Sequence, residues 1–466
     1  MRHLVHVISD LHLGGAAAAA DGAPSFQMCP PTTHALLAAF IDRVPKATPD
    51  EDSHLVVAGD IVDFLAEVPF APFTPDPADA CEKLARILAG TAVVWEALAR
   101  FTTVRGGALT LMLGNHDIEL SLPGVREMLL ARLPGPRVRF IYDNEAFTLG
   151  PLLVEHGNRF DPWNAVPHDA LRRVRSQLSR HAVVTPAFPA LPGSRMVIDV
   201  INPLKQQYPF IDLLKPETAA ALPIAAALGG VGLQQAWGAF GQFRASQAVD
   251  YDEDSAEPLA NNFINANRND DGALWLAAQQ IAQGGDTGRI AAPGDLLGKG
   301  IAAVTERVRA ARLDAVFAAF RSLARLRRMH REAFAVDSET ESYLKPARHA
   351  ARAGFKAIVY GHTHLAKRVL LERGALYLNT GTWADVMCIP EGIWDEDEAA
   401  GRSLFRAFAA DLGASDLAKW RRAIPTYGRI RLDGADVISA DVLFAEGDAP
   451  VTTEGLMARL AGGVPA

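Results

Sequence analysis

Several apolar runs in this chain stop abruptly at Asp, Asn and His residues. They read VHVISDLH (5–12), HLVVAGD (54–60), LTLMLGNHD (109–117), LLVEHGN (152–158) and FKAIVYGHTH (355–364). Apolar runs of four to eight residues bounded by turn residues read as strands buried on both faces. A further run, ALYLNTGTW (375–383), has the same character. Between the runs lie helical stretches such as 80–101, where apolar residues recur every three to four positions. Buried strands alternating with amphipathic helices predict a layered α/β fold. Toward the end, residues 427–444 read as two strands joined by a Gly-containing turn.

The pattern changes in the middle. From 166 to 345 the sequence is mostly helical, with Pro-rich breaks such as TPAFPALPG (185–193). This reads as an insertion into the α/β core. The expected domains are therefore 1–165 (core, first part), 166–345 (helical cap), 346–446 (core, second part) and 447–466 (tail). The Ala- and Pro-rich stretch 14–33 reads as a loop.

Composition narrows the function classes. With 466 residues the chain can bury a large core, and its net charge of −8 gives no general attraction to nucleic acid. Cys29, Cys81 and Cys388 form no CxxC pair. A reducing, cytoplasmic location is the simplest reading. No signal peptide is visible, because the run carrying Asp10 begins at once. Residues 218–243 are uncharged but contain Pro223, Gly229, Gly230 and Gly232. A spanning helix needs ~20 predominantly apolar residues, so the expectation is no transmembrane span, with peripheral membrane contact left open.

The polar ends of the runs supply the chemistry. They are Asp10-x-His12, Gly59-Asp60-x-x-Asp63, Gly114-Asn115-His116-Asp117, His156-Gly157 and Gly361-His362-Thr363-His364. Residues two apart on a strand face the same way. Asp10 and His12 can thus converge on one ion, and His362 and His364 likewise. In open α/β sheets the functional crevice lies beyond the carboxyl ends of the strands. Carboxylate, imidazole and amide ligands without cysteine suit Mn²⁺, Fe or Zn²⁺. There are too many for one ion, and two ions sharing a carboxylate would use them all.

These blocks, in this order, resemble the calcineurin-like metallophosphoesterases, whose pattern is DxH, GDxxD, GNH[DE], a lone His and GHxH. The resemblance covers 1–161 and 355–444 and implies two packed β-sheets flanked by helices. It implies that Asp10, His12 and His364 hold one metal, and that Asn115, His156 and His362 hold the second. Asp60 would bridge them. His116 would act as general acid, Asp117 would orient it, and Asp63 would support the ligands. The cofactors implied are two divalent ions, Mn²⁺ first among them. A water bridging such ions ionises near neutral pH and can attack phosphorus in line.

Substrate is less legible. Between 166 and 345 there are 20 Lys and Arg against 19 Asp and Glu, but the signs are segregated. Arg172, Arg173, Arg175 and Arg180 cluster in one stretch. Arg307, Arg309, Arg312, Arg321, Arg325, Arg327, Arg328 and Arg331 cluster in another, and acidic residues collect at 250–257. Arg recognises phosphate bidentately, so Arg159, Arg172 and Arg173 are candidate substrate residues. The alternative is a solvated helix face. The leading expectation is a hydrolase of a small or amphiphilic phosphodiester, phosphomonoester or pyrophosphate. SDLHLG and the HGN-x-FD loop are similar to UDP-2,3-diacylglucosamine pyrophosphatases. That subgroup carries Arg after the Asn of the third block, where this chain has His116. A nuclease of the same superfamily and a catalytically silent metal-binding scaffold are the alternatives. The acidic balance disfavours nucleic acid.

Overall fold

The structure, a computed structural model, describes residues 2–16, 25–202, 205, 211–215, 313–314, 316–318, 321 and 332–462. Its strands are β1 (Arg2–Ile8), β2 (Glu51–Ala58), β3 (Ala108–Met112), β4 (Val138–Ile141), β5 (Phe147–Leu149), β6 (Leu152–Val154), β7 (Ala357–Tyr360), β8 (Ala366–Leu370), β9 (Leu376–Thr380), β10 (Thr426–Asp433) and β11 (Asp436–Phe444). Two further short strands are described below. The apolar runs explain their places. A strand buried on both faces must sit inside a sheet, and Val5, Val7 and Ile8 of β1 are fully buried.

The first sheet has the order β11-β10-β1-β2-β3-β4. Its strands β1 to β4 run parallel, and the β10–β11 hairpin adds antiparallel to β1. The second sheet has the order β5-β6-β7-β9-β8. There β6, β7 and β9 are parallel, with antiparallel strands at both edges. The sheets pack on each other through β9 against β10 and β11. Thr426 Oγ1 of β10 donates to the Thr380 carbonyl of β9 at 2.6 Å.

Helices cover the outer faces. α1 (Pro31–Arg43), α2 (Pro77–Gly90), α3 (Ala92–Thr103) and α4 (Val125–Ala131) bury Leu37, Ile41, Leu84, Leu98 and Leu129 in one core with Leu55, Val57, Leu109 and Leu111 of the first sheet. The expected single helical stretch 80–101 is two helices. Gly90 is a poor helix former, and Thr91 leaves helical geometry at φ −122°, its hydroxyl donating to the Ile87 carbonyl at 2.6 Å. α5 (His168–Leu178) buries Leu171 and Val174 in the same core. α6 (Glu341–Arg352) packs Leu344 and Ala347 on Ile358 and Tyr377 of the second sheet. The result is an α/β fold of two packed sheets flanked by helices.

The chain divides into two compact units. One comprises Met1–Asp199, Phe334–Asp385 and Arg422–Ala466; the other comprises Val200–Ala333 and Val386–Arg421. The expected boundaries at 165/166 and 345/346 differ from these. Leu171, Val174 and Phe188 lie in the core of the first unit. Arg368 N donates to the Val336 carbonyl at 2.7 Å, tying that segment to β8. Val386–Arg421, between β9 and β10, belongs to the second unit instead. There Phe405 of α7 (Glu398–Gly413) packs against Phe317 with the rings tilted and their centroids 5.8 Å apart, and Arg402 and Arg406 pair with Asp314. Met387–Cys388 forms a short parallel pair with Leu214–Lys215.

The uncharged stretch 218–243, the acidic stretch 250–257 and Arg307, Arg309, Arg312, Arg325, Arg327, Arg328 and Arg331 lie outside the described residues. No helix among the described residues is long and apolar enough to cross a membrane.

Candidate metal centre

β1, β2, β3, β6 and β7 are parallel within their sheets, and each runs directly into one of the polar clusters. The ligand-type residues lie past the strand ends. β1 stops at Ile8 and β7 at Tyr360. Asp10 (φ 53°), His12 (44°), Asp60 (48°), His362 (71°) and His364 (61°) all adopt the left-handed region. This corrects the expectation from strand alternation, since turns rather than a pleat aim these side chains. Main-chain bonds lock the turns together. Leu11 N and His12 N both donate to the Asp60 carbonyl at 2.9 and 3.0 Å. Gly361 N donates to the His156 carbonyl at 2.8 Å, and Trp383 N to the Asp10 carbonyl at 3.1 Å.

The glycines in the clusters make room for ligands. A Cβ on Gly114 would lie 2.0 Å from Asp60 Oδ1, and one on Gly361 would lie 2.6 Å from Asp10 Oδ2. Gly114→Ala is therefore expected to displace Asp60. Elemental analysis of the purified variant should find less than half the metal of the unmodified protein. Full metal content would show that Asp60 can move without loss.

Two donor groups result, with His12, Asp63 and His116 forming a third cluster alongside them. In the first, His364 Nε2 lies 3.4 Å from Asp10 Oδ1 and 2.9 Å from His12 Nε2. In the second, Asp60, His156 and His362 present donor atoms within 4.8 Å of one another. His156 Nε2 lies 3.2 Å from Asp60 Oδ2 and 3.3 Å from Asn115 Oδ1. Asp60 Oδ2 is also 3.8 Å from His12 Nε2, so one oxygen stands between the groups. His362 and His364, expected to converge on one ion by alternation, enter different groups. Asp10 Oδ2 instead accepts the main-chain N–H of His362 at 3.0 Å.

The donors fit divalent cations. Ligands ~2.0–2.1 Å from a tetrahedral ion stand about 3.3 Å apart, close to most of these separations. Asp10, His12, Asp60, Asn115 and His156 are buried, and buried charge needs a counter-charge. Protons supply it in part. Burial pushes the Asp10 carboxyl up, but hydrogen bonding and charge from His364 outweigh it and hold the group at about 2. Burial likewise opposes the charge on His156, yet Asp60 beside it raises the imidazole to about 9. Metal binding to such a set releases protons.

His116 stands beside the donors. Its ring lies edge-on to His12 with centroids 4.7 Å apart, and its main-chain N–H donates to Asp60 Oδ1 at 2.9 Å. The carboxylate at its Nδ1 is that of Asp63, 3.2 Å away. Asp117, expected in that place, accepts instead from Gly114 N and Ile61 N, each at 2.7 Å. Burial and the charge of Asp60 push Asp117 up to about 7. Its contacts pin the turns that carry Asn115 and Asp60. Asp63 Oδ1 also caps a short turn by accepting from Leu65 N and Ala66 N. Burial alone would raise Asp63, but His116 and His12 hold it far below the usual carboxylate range.

Of the candidate substrate residues, Arg159 donates to Glu155 at 3.0 Å and lines a cavity of about 40 Å³ beside His156. Arg172 and Arg173 lie on the exposed face of α5, where Arg172 is 3.7 Å from Asp169. Sequence reasoning assigned no role to several supports. Asn164 accepts from Asn115 Nδ2 at 3.3 Å and donates to Asp161 at 2.7 Å. Asp161 Oδ2 lies 3.1 Å from His362 Nε2. Ser9 bonds Asp10 and Thr380 Oγ1, and Asn379 donates to the Gly361 carbonyl at 2.7 Å. The polar residues ending ALYLNTGTW were the available signal.

No family model matches the chain. No curated protein matches it either. Among solved structures, a provisionally assigned 5′-nucleotidase from Staphylococcus aureus, in complex with alpha-ketoglutarate, is similar at a TM-score of 0.30 and 13% identity. The alignment covers 99% of this chain and 58% of that one.

Proposed function

We propose that this protein is a dinuclear-metal phosphoesterase of the calcineurin-like type. The observation that carries the reading is Asp60 Oδ2 standing between two His-containing donor groups, with His116 alongside. Asp10, His12 and His364 would hold one cation, and Asn115, His156 and His362 the other, with Asp60 shared. Two bound cations supply charge that stabilises phosphoryl oxygens and lower the pKa of water to near neutrality. Mn²⁺ is the first candidate, then Fe or Zn²⁺.

The chain's own groups do the rest. His116, its Nδ1 3.2 Å from Asp63 Oδ1, is the group assigned to protonate the departing oxygen. Buried ligands and the Asp117-pinned turns keep the donors in place without reorganisation. The substrate class is a small or amphiphilic phosphorylated molecule, with the polar rim around Arg159 as a candidate contact.

Chelation tests the proposal. Protein stripped of metal should lose turnover of bis-p-nitrophenyl phosphate and p-nitrophenyl phosphate. Addition of Mn²⁺ should restore it. Undiminished turnover by metal-free protein, or none with any divalent ion on any phosphoester, would overturn the reading.

A further inference from the structure

We propose a second, separate metal site at the opposite end of the first sheet, formed by His3, Asp52 and His54 and suited to Zn²⁺ or a similar imidazole-preferring divalent ion. The parallel register of β1 and β2 pairs His3 with Asp52 and Val5 with His54. Residues two apart share a face of a strand, so all three side chains project from one face. Their donor atoms form a closed triangle. His3 Nδ1 is 3.2 Å from His54 Nε2, His54 Nε2 is 3.0 Å from Asp52 Oδ2, and His3 Nδ1 is 3.9 Å from Asp52 Oδ2. A tetrahedral ion with ligands at ~2.0–2.1 Å has edges of about 3.3 Å. The triangle averages close to one face of such a shell.

The surroundings agree with a three-ligand site. The side chains of His3 and His54 are 20% and 13% exposed, which leaves water access to a fourth position. Arg137 donates to both oxygens of Asp52, at 2.8 and 2.5 Å. A hydrogen-bonded partner of that kind fixes a ligating carboxylate, and Oδ2 keeps a further lone pair for the ion. Two imidazoles and one carboxylate without thiolate are a borderline donor set that suits Zn²⁺ better than Mg²⁺ or Ca²⁺. Five steps of extended chain separate His3 from Ile8 at the other end of β1, about 16 Å at ~3.3 Å per residue, and Asp10 lies past that end. The site is thus distinct from the candidate catalytic centre and independent of its chemistry.

Zinc soaked into crystals of the full chain, with diffraction recorded at the zinc edge, tests this directly. An anomalous peak in bonding contact with His3 Nδ1, His54 Nε2 and Asp52 Oδ2 is expected. In solution, zinc titration of metal-stripped protein should count one ion fewer in His3→Gln/His54→Gln than in the unmodified chain. Turnover of bis-p-nitrophenyl phosphate by that variant, loaded with Mn²⁺, should stay within about twofold. If the double variant does not fold, His54→Gln alone serves for the count. Equal zinc counts, or no anomalous peak at this position in zinc-soaked crystals, would leave the trio as an ion-pair network around Arg137 and overturn the proposal.

Discussion

Asp60→Ala should empty both metal positions at once. Asp60 Oδ2 lies 3.2 Å from His156 Nε2 and 3.8 Å from His12 Nε2, while Oδ1 accepts the His116 N–H. Loss of a residue that merely supports a ligand typically costs 10–100-fold in metal affinity. A ligand shared by two ions should cost more than ~100-fold for each. Elemental analysis after dialysis should then find almost no metal, and phosphoester turnover should fall below detection. Asp60→Asn separates charge from shape, because it keeps the volume and one accepting oxygen. It should retain partial metal content while losing most turnover. Two ions per chain in Asp60→Ala would end the bridging assignment.

His116→Ala should do the opposite, retaining metal and losing rate. His116 reaches the donors through its ring contact with His12 and its main-chain bond to Asp60, and the latter survives the substitution. Removing a positioned general acid costs ~10²–10⁴-fold. That loss should appear with alkyl phosphodiesters, whose leaving oxygen needs a proton. It should shrink with p-nitrophenyl esters, whose leaving group departs as a stable anion. Asp63→Asn, which weakens the hold on His116 Nδ1, should give a smaller loss with the same dependence on leaving group. Equal losses for both ester types would make His116 a structural neighbour of the centre rather than its acid.

Most strands of the two sheets could be read from the sequence because burial on two faces leaves a mainly apolar run, as in β7, whereas the partly exposed edge strands β4, β5 and β8 leave no such run and could not. The polar clusters could be read because residue types alone carry their donor chemistry. What could not be read is how the turns aim them. Asp and His enter the left-handed region only when surrounding contacts compel it, here the bonds from Leu11, His12 and Gly361 to neighbouring strand ends. Spacing also could not say whether Asp63 or Asp117 meets His116, since that contact joins loops from two different strands. The His3–Asp52–His54 triangle depends on a pairing across about fifty residues, which no local pattern contains. The unit boundaries differ for a similar reason. Phe317 and Asp314 recruit residues from α7 through contacts distant in sequence.

The left-handed turns at Asp10, His12, Asp60, His362 and His364 also bear on how firmly the protein holds together. Each such conformation costs an ordinary residue of order 1 kcal/mol or more, although Asp and His tolerate it better than most. Five together reach about 5 kcal/mol, a sizeable part of the 5–15 kcal/mol that keeps a typical domain folded. An ion that binds only the native chain returns about 4 kcal/mol when present at a thousand times its dissociation constant. The metal-free protein should therefore melt at a lower temperature than the loaded one, and its melting point should climb with metal concentration. A cell short of these ions would face a less durable protein as well as a slower one.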